Sequence, residues 1–245
     1  MQQDNSKKGI LYGIGIGPGD PDLLTIKAVK ILEKADVICV PKSKEQASTA
    51  LAIVSKYLKD TAVVEPMVFS MSKDIEKRIE SRKENARLIE QKLDDGQIVV
   101  FLTLGDPMLY STYSYVLEHL KTGCLIETIP GIYSFSAISS LLSLPLVKGD
   151  DKLAVISSWD EGALKMIESA DTVVCMKISS FHTDLYAFLK ESKDYNFVMI
   201  TNAGKDTQEV FHSREVLREK VPYFSTAIIQ KQKTLQPKIL ASCQM

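Results

Sequence analysis

Three short stretches of this sequence combine Gly with Pro and Asp or Ser at the end of an apolar run. They read GPGDP at 17–21, LGDPML at 104–109 and PGIYS at 130–134. Two further turns, MK at 176–177 and NAGKDT at 202–207, follow apolar runs in the second half of the chain. Ligands of open α/β sheets bind beyond the carboxyl ends of the strands, so these five turns could converge on one ligand.

The spacing of the first turn excludes the two common nucleotide motifs. A dinucleotide fingerprint requires G-x-G-x-x-G, but the sixth position counted from Gly13 is Pro18, and that counted from Gly15 is Asp20. The chain also has no G-x-x-x-x-G-K-[ST] run. Pro18 has no N–H to offer an anion and Asp20 would repel one, so we do not expect phosphate binding here. The alternative to a ligand-binding turn is a tight turn that only joins a strand to a helix.

The overall composition is that of a globular protein. Of its 245 residues, 45% are hydrophobic and 25% are charged. A net charge of −1 and an isoelectric point of about 6.3 argue against nucleic-acid binding. No apolar run reaches the ~20 residues of a membrane span, and the N-terminal MQQDNSKKG lacks the core of a signal peptide. We therefore expect a cytoplasmic protein without membrane or nucleic-acid partners.

The cysteines and histidines are too scattered for a metal site. The four cysteines, at 39, 124, 175 and 243, form no C-x-x-C pair, and the histidines at 119, 182 and 212 are far apart. Cys39 and Cys175 lie in apolar, strand-like runs, where cysteine acts as a small hydrophobe. We expect neither a disulfide framework nor a metal bound by the protein.

Strand-like apolar runs alternate with segments of helical periodicity along the chain. In the helix predicted over 72–96, an apolar stripe ends at Gly96. The alternation predicts an α/β protein with parallel pairing in its first half, whereas TQEVFHS at 207–213 could add an antiparallel strand in the second. We place an N-terminal α/β domain at 1–122 and a C-terminal α/β domain at 123–245. The stripe consists of Ile75, Ile79, Ala86, Ile89 and Leu93.

The motifs taken together resemble one known family. In their order along the chain, GIGPGDPDLLT, LGDPMLYST, IPGIYSFSA and CMK resemble the tetrapyrrole (cobalamin-type, class III) S-adenosylmethionine methyltransferases, from about residue 9 to 232. Within that family, PGIYSFSA followed by LPLVKGDDKLAV, together with VPKSK at 40–44, is similar to the branch that methylates C20 of precorrin-2 or cobalt-factor II. Uroporphyrinogen methyltransferases often carry Asp where Pro41 stands here, which favours a later step on the corrin pathway.

The resemblance implies a fold, a reaction and a set of ligand contacts. Two α/β domains would flank a cleft in a homodimer, with the tetrapyrrole trough mainly in the first domain and the methyl-donor site shared by the second. The donor would be S-adenosylmethionine, the product S-adenosylhomocysteine and the substrate cobalt-factor II, with metal-free precorrin-2 as the alternative. Any cobalt would enter with the substrate. The implied donor contacts are Pro18, Leu104, Gly105, Asp106, Leu109, Tyr133, Ser134, Met176, Ala203 and Gly204. The candidate substrate-binding residues are Gly17, Gly19, Asp20, Lys42 and Lys177.

Methyl transfer from a sulfonium depends more on geometry than on acid–base chemistry. The positive charge already activates the donor, and holding sulfur, methyl and attacking carbon in line can supply ~7–11 kcal/mol. We identify no side chain as a catalytic base. Asp106 could orient the amino group of the donor, or it could cap amides of its own turn.

The lysines and aromatic residues near the turns each allow two interpretations. Lysines at the cleft could hold the acidic side chains of a tetrapyrrole, or each could be ordinary solvated surface. Trp159 and the tyrosines at 110, 113 and 115 could line the trough or pack in the core. The lysines concerned are Lys42, Lys44, Lys148, Lys152, Lys177 and Lys205.

Two other classes of function are compatible with the same turns. A diphthine synthase or an rRNA methyltransferase would use the same donor on a macromolecule, although an RNA substrate calls for a basic surface that this composition does not indicate. A non-catalytic binding module would keep the ligand site without turnover. Incubation with the donor and candidate tetrapyrroles separates these alternatives.

Overall fold

The computed structural model describes residues 8–42, 49–70, 72–192 and 194–232. The chain forms two compact units, one through Tyr133 and one from Ser134 onward. Each unit is built on its own five-stranded sheet. The expected α/β class with two domains is confirmed, and each unit is described below by itself.

The first unit contains an entirely parallel sheet. Its strand order is β3-β2-β4-β1-β5, which confirms the parallel pairing predicted for the first half. Short 3₁₀ turns at Pro21–Leu23 and Ser55–Tyr57 adjoin the helices. In chain order the strands and helices are β1 Ile10–Gly15, α1 Ile26–Leu32, β2 Val37–Lys42, α2 Thr49–Val54, β3 Val63–Val68, α3 Ile75–Asp94, β4 Ile98–Thr103, α4 Thr112–Leu117 and β5 Leu125–Ile129.

The central strands of the first sheet, β1, β2 and β4, are buried on both faces, because helices cover a parallel sheet on each side. Successive residues of β4 therefore join opposite cores: Val100 packs with Ile14 and Ile38, while Phe101 packs with Leu11 and the other core. Every second residue of these strands points the same way, so a nearly continuous apolar run serves two cores. This pattern explains the nearly continuous apolar runs of these central strands.

Helix α3 confirms most of the predicted apolar stripe. Asp74 caps its N-terminus, and Gly96 follows its end with a left-handed φ of 74°. Ala86, Ile89 and Leu93 are buried against the sheet. Ile75 does not join them, since this first residue of the helix is 62% exposed.

The boundary between the units lies beyond the position expected from the sequence. Strand β5 follows residue 122, yet it pairs with β1, with Ile10 opposite Leu125 and Ile14 opposite Ile129. The first unit therefore extends through Tyr133. Adjacency along the chain assigned β5 to the second domain, whereas its hydrogen bonds place it at the edge of the first sheet.

The second unit contains a mixed sheet of order β6-β7-β10-β8-β9. Strands β6 and β7 are parallel, and the remaining neighbours are antiparallel. The antiparallel strand suggested by TQEVFHS is β9, so that prediction is confirmed. The elements are α5 Ser134–Leu141, β6 Leu153–Ile156, α6 Glu161–Ser169, β7 Thr172–Met176, α7 His182–Glu191, β8 Tyr195–Thr201, β9 Glu209–Phe211 and β10 Ser225–Lys231, with 3₁₀ turns at Ile178–Ser180 and Arg214–Arg218.

Aromatic residues fill the core of the second unit on the side of α6 and α7. Trp159 stacks on Phe181 at 5.9 Å between ring centroids and meets Phe188 edge-on at the same distance. Trp159 is thus core packing, the second of its two interpretations. Cys39 in the first unit and Cys175 in the second are buried and free, as expected of small hydrophobic residues. Cys243 lies outside the described residues.

No helix within the described ranges is both long enough and apolar enough to traverse a bilayer.

Candidate functional site

Three loops meet at the carboxyl edge of the first sheet. We call them the first loop (residues 15–20, after β1), the second loop (104–110, after β4) and the third loop (130–133, after β5). An isolated antiparallel bridge joins the first two, because the N–H of Gly105 donates to the carbonyl of Gly17 at 2.7 Å and the N–H of Gly17 donates back at 3.3 Å. The first two loops therefore continue the pairing of the sheet beyond its strands.

Glycine allows the three loops to pack backbone against backbone. A Cβ on Gly131 would overlap the carbonyl oxygen of Gly105 and lie 2.8 Å from the carbonyl carbon of Gly15. A Cβ on Gly15 would lie 2.5 Å from the Gly131 nitrogen. Real Cβ atoms do not come this close to backbone, so any side chain at these positions would force the loops apart.

The carboxylate of Asp106 lies inside this contact and is only 6% exposed. Its Oδ1 accepts the N–H of Met108 at 2.8 Å, and its Oδ2 accepts the N–H of Gly131 at 3.0 Å. One side chain thus closes the turn of the second loop and ties that loop to the third. This is the amide-capping interpretation of Asp106, extended across two loops.

Tyr113 supports the loops from below. Its ring occupies the space that a side chain on Gly13 would need, since a Cβ there would lie 2.5 Å from a ring carbon. Its hydroxyl lies 3.1 Å from the Thr128 hydroxyl on β5. Burial raises the pKa of the Tyr113 hydroxyl, so this residue stays neutral and acts as core packing. The other interpretation, in which Tyr113 lines the tetrapyrrole trough, is therefore wrong.

The first loop ends in a capped turn. The Asp20 carboxylate accepts the N–H of Asp22 at 2.9 Å and caps the 3₁₀ turn that begins at Pro21. Pro18 and Gly19 precede it and are partly exposed, as is Asp20 itself. These predicted contact residues lie at the carboxyl edge of the sheet, and Asp20 already makes a local structural bond.

The predicted contact residues of the second unit lie at one edge of its own sheet. Strands β7 and β8 both run antiparallel to β10, so their carboxyl ends share an edge. Met176 ends β7, Lys177 follows it with φ 55°, and Asn202 follows β8 with φ 49°. A left-handed backbone conformation is uncommon at non-glycine residues, and the residues that adopt it are enriched at functional turns. Ala203 and Gly204 complete the turn, where the Gly204 N–H donates to the Gln208 side chain at 2.9 Å.

The candidate lysines are not at one place. Lys148 and Lys152 precede β6, which is parallel to β7, so they lie at the edge opposite Lys177. The expectation that they face the same site as Lys177 is wrong, because the parallel pairing puts strand starts and strand ends at opposite edges. Lys205 lies 3.9 Å above the ring of Phe224, and burial lowers the pKa of its ammonium. The Lys42 side chain and all of Lys44 lie outside the described residues.

The remaining candidates divide between loop and surface. Tyr110 belongs to the second loop, is 45% exposed and has φ 49°. Tyr115 instead lies on α4, where the Arg82 guanidinium covers its ring at 3.6 Å. Tyr133 and Leu109 lie on the third and second loops, and Ser134 begins α5.

No cluster of metal-ligating side chains is present among the described residues. His182 bonds to the Leu217 carbonyl at 2.9 Å through Nδ1, and the three histidines do not converge there.

Sequence reasoning missed the roles of Gly15, Gly131 and Tyr113. All three stand in or next to the motifs, but their function is contact between segments that are distant along the chain. The only signal in the sequence was the recurrence of glycine at the ends of three strands.

The three loops lie within the part of the chain that matches a known protein family. The family model of the tetrapyrrole (corrin/porphyrin) methylases matches residues 10–217, which includes all three loops. The chain belongs to the tetrapyrrole methylases. The resemblance inferred from the motifs is therefore confirmed, and with it the class of methyltransferase.

Two curated relatives of this methylase cover nearly the whole chain. A probable cobalt-precorrin-2 C(20)-methyltransferase of Methanocaldococcus jannaschii is 37% identical over 226 residues, covering 90% of this chain and 96% of the relative. The cobalt-precorrin-2 C(20)-methyltransferase of Salmonella typhimurium is 32% identical over 230 residues, covering 91% and 97%.

A solved structure shows the same fold as this methylase. The uroporphyrin-III C-methyltransferase of Thermus thermophilus, in complex with S-adenosylhomocysteine, superposes with a TM-score of 0.68 at 22% identity. The superposition covers 91% of this chain and 92% of the other. At this identity the likeness establishes the architecture.

Proposed function

We propose that this tetrapyrrole methylase transfers the methyl group of S-adenosylmethionine to C20 of cobalt-factor II (cobalt-precorrin-2), a step of cobalamin biosynthesis. The observation that carries the proposal is the 37% identity to a relative of that name over nearly the full length of both chains. The motifs VPKSK and PGIYSFSA, with LPLVKGDDKLAV after them, support the same branch.

The reaction needs little from side chains. The bond from sulfur to the methyl group breaks as the bond from the methyl group to C20 forms. The sulfur keeps the electron pair and leaves as the thioether S-adenosylhomocysteine, and C20 then gives up its proton. The protein contributes by holding the two reactants in line, which depends on how rigidly the loops are fixed before binding.

The geometry of the second loop fits a bound donor. Gly105 faces open space, since a Cβ built there would meet nothing nearer than the Ile132 carbonyl oxygen at 4.0 Å. The backbone around Gly105 is held by the bridge to Gly17 and by Asp106. A firmly held loop with room above it can present backbone N–H and C=O groups to a ligand without first being ordered.

The donor contacts implied by the resemblance are part of the proposal. Those in the first unit lie on the three loops or at the end of them, and those in the second unit lie at the start of α5 and at the ends of β7 and β8. We propose Gly17, Gly19, Asp20, Lys42 and Lys177 for the tetrapyrrole, with any cobalt carried in by the substrate.

The assembly and the location of the protein are also part of the proposal. The family resemblance suggests a homodimer, and the near-neutral charge favours an enzyme without a nucleic-acid partner. We also propose a cytoplasmic location. Sedimentation equilibrium of the purified chain tests the first point, since a monomer at micromolar concentration would contradict it.

Turnover on two substrates tests the proposed activity. The purified protein is incubated with S-adenosylmethionine and either cobalt-factor II or metal-free precorrin-2. We expect a mass gain of one methyl group and faster turnover on the cobalt-loaded substrate. Faster turnover on metal-free precorrin-2 would support the alternative substrate instead, and donor binding without methylation of either would indicate a binding module.

Calorimetry tests the ligand site independently of turnover. We expect one S-adenosylmethionine or S-adenosylhomocysteine per chain and no heat with NAD. Tight binding of NAD with no response to the methyl donor would contradict the proposal.

A further inference from the structure

The buried carboxylate of Asp106 raises a question that the proposed function leaves open. Its position in the second loop suits a contact with the amino group of the donor, yet both of its oxygens already accept backbone N–H groups, from Met108 at 2.8 Å and from Gly131 at 3.0 Å. These are its only hydrogen bonds in the part of the chain that the structure describes. At 6% exposure, the side chain has little surface left for a ligand.

We infer that Asp106 is a positioning residue: its carboxylate holds the second and third loops in the geometry that receives the methyl donor and does not contact the donor's amino group, so any contact of Asp106 with the donor is made by its backbone. The inference rests on the proposed function, because it assigns the donor to these loops.

The contact that Asp106 holds is unusually close. The Gly105 carbonyl approaches Gly131 so tightly that no side chain fits at residue 131. The Gly131 N–H donates to the Asp106 carboxylate at 3.0 Å, so a side chain of the second loop holds the third loop in this close approach. Bonds to an ionised acceptor are about twice as strong as neutral ones.

The same carboxylate shapes the turn of the second loop. Its bond to Met108 fixes the backbone directly after Gly105, whose φ is 73°. The first loop is attached to this turn through the Gly17–Gly105 bridge. Loss of the carboxylate would therefore loosen all three loops, although the strands below them would stay paired.

Asp106→Asn is the sharpest substitution, because it keeps the size of the side chain. An amide has only one acceptor oxygen, so its NH₂ group would face one of the two N–H donors and leave that donor unpaired. An unpaired buried N–H is costly, and we expect S-adenosylhomocysteine to bind about tenfold more weakly or worse.

Asp74→Asn is the matched control. Asp74 also accepts two backbone N–H groups, from Glu76 at 2.9 Å and Lys77 at 3.4 Å, but it caps α3 at an exposed position. Its substitution should change the affinity for S-adenosylhomocysteine by less than about twofold, as a surface change outside the three loops does.

Two probe ligands separate positioning from direct contact. Calorimetry is done with S-adenosylhomocysteine and with its analogue that lacks the amino group, on the native protein and on Asp106→Asn. A positioning residue weakens both ligands by the same factor. If the substitution weakens S-adenosylhomocysteine but leaves the analogue unaffected, Asp106 contacts the amino group and the inference is overturned.

Hydrogen exchange tests the inference without any ligand, so its failure is distinguishable from failure of the proposed function. In the free protein, the amide that loses its acceptor in Asp106→Asn, at Gly131 or at Met108, should exchange faster than in the native chain, and both amides should exchange unchanged in Asp74→Asn. Unchanged exchange of both amides in Asp106→Asn would overturn the inference even if the donor binds. Native protein that binds no S-adenosylhomocysteine would overturn the proposed function and, with it, the role assigned to these loops.

Discussion

Gly105 and Gly123 both have a left-handed backbone conformation but lie at opposite edges of the first sheet. Their φ values are 73° and 95°, and a Cβ on either would find open space. Gly105 belongs to the second loop, whereas Gly123 precedes β5 at the opposite edge of the sheet. The pair therefore separates the effect of backbone strain from the effect of blocking a ligand.

We predict that Gly105→Val abolishes binding of S-adenosylmethionine and that Gly123→Val does not. Both variants carry a β-branched residue at positive φ and should lose stability by a similar amount, on the order of 1–3 kcal/mol. Only the first places methyl groups in the open space above the second loop. Calorimetry and thermal melts of both variants measure the two effects, and normal donor binding by a folded Gly105→Val would remove the second loop from the site.

At the residue scale, the motifs indicated the three loops of the candidate site but not the contacts that hold these loops together. Gly105 and Asp106 were identified in the sequence because of the turn in which they stand. Their partners Gly15 and Gly131 are about 90 and 25 positions away along the chain, and contacts at such separation leave no local pattern. Tyr113 was ambiguous for the same reason, because nothing local shows that Gly13 leaves room for its ring.

At the element scale, α3 is fastened to the turn after α4 by one buried carboxylate. Glu90 is 4% exposed and accepts the backbone N–H of Lys121 at 2.7 Å. The Lys121 ammonium lies 3.1 Å from the same carboxylate but is largely exposed. The hydrogen bond with Glu90 raises the pKa of that ammonium, which favours its charged form.

We predict that the backbone bond of Glu90 contributes more than its ion pair. Glu90→Ala should lower the free energy of unfolding by about 2 kcal/mol, because it leaves a backbone N–H without its charged acceptor. Lys121→Ala should cost clearly less, since the residue keeps its N–H bond and loses only an exposed ion pair. Urea unfolding of the two variants compares them, and equal losses would show that the ion pair holds α3 in place.

Helices and strands were predicted well where the apolar periodicity was regular. Features that depend on which strands pair with each other were predicted less well. The parallel first half and the antiparallel β9 follow from apolar runs and turn residues that can be read locally. The domain boundary, and the edge on which Lys152 lies, depend on which strands are neighbours. Strand order is set by burial of whole faces, which a single sequence does not display.

At the scale of the whole molecule, each unit buries one thiol in its core. Burial raises the pKa of Cys39 and of Cys175 to about 12. Nearby Glu65 adds to the shift at Cys39. The ordinary thiol value is about 8.5, so above that pH the unfolded chain loses protons that the folded chain keeps.

We predict that both units lose stability as the pH rises from about 9 to 12. A raised thiol pKa stabilises the fold fully below the unfolded value and progressively less above it, by about 1.4 kcal/mol per pH unit for each thiol. Cys39→Ala should be less stable at pH 7 and yet decline less steeply in alkali. Urea unfolding in reductant at several pH values measures both slopes, and identical slopes would contradict the assignment.

The proposed tetrapyrrole carries several carboxylates, and we predict that Lys177 assists its binding without acting in the chemical step. Lys177→Ala should raise the KM for the tetrapyrrole a few-fold and leave kcat nearly unchanged, the signature of uniform binding. The effect should shrink at about 1 M salt, where charges are screened within ~3 Å. Lys152→Ala, at the opposite edge of the same sheet, is the control. A fall in kcat with KM unchanged would place Lys177 in the transition state.

The position of β1 in the first sheet has a consequence for synthesis of the chain on the ribosome. Strand β1 emerges first, yet its neighbours are β4 and β5. One edge of β1 therefore stays unpaired until Ile98–Thr103 has left the exit tunnel, and the other until Leu125–Ile129 has left it. Strands β2 and β3 pair with each other and can form earlier. Non-local pairing of this kind slows folding and leaves apolar edges open in the meantime. The contact of Gly15, Gly105 and Gly131 therefore forms only after more than half of the chain has been translated, and a nascent chain stopped before β5 lacks the third loop.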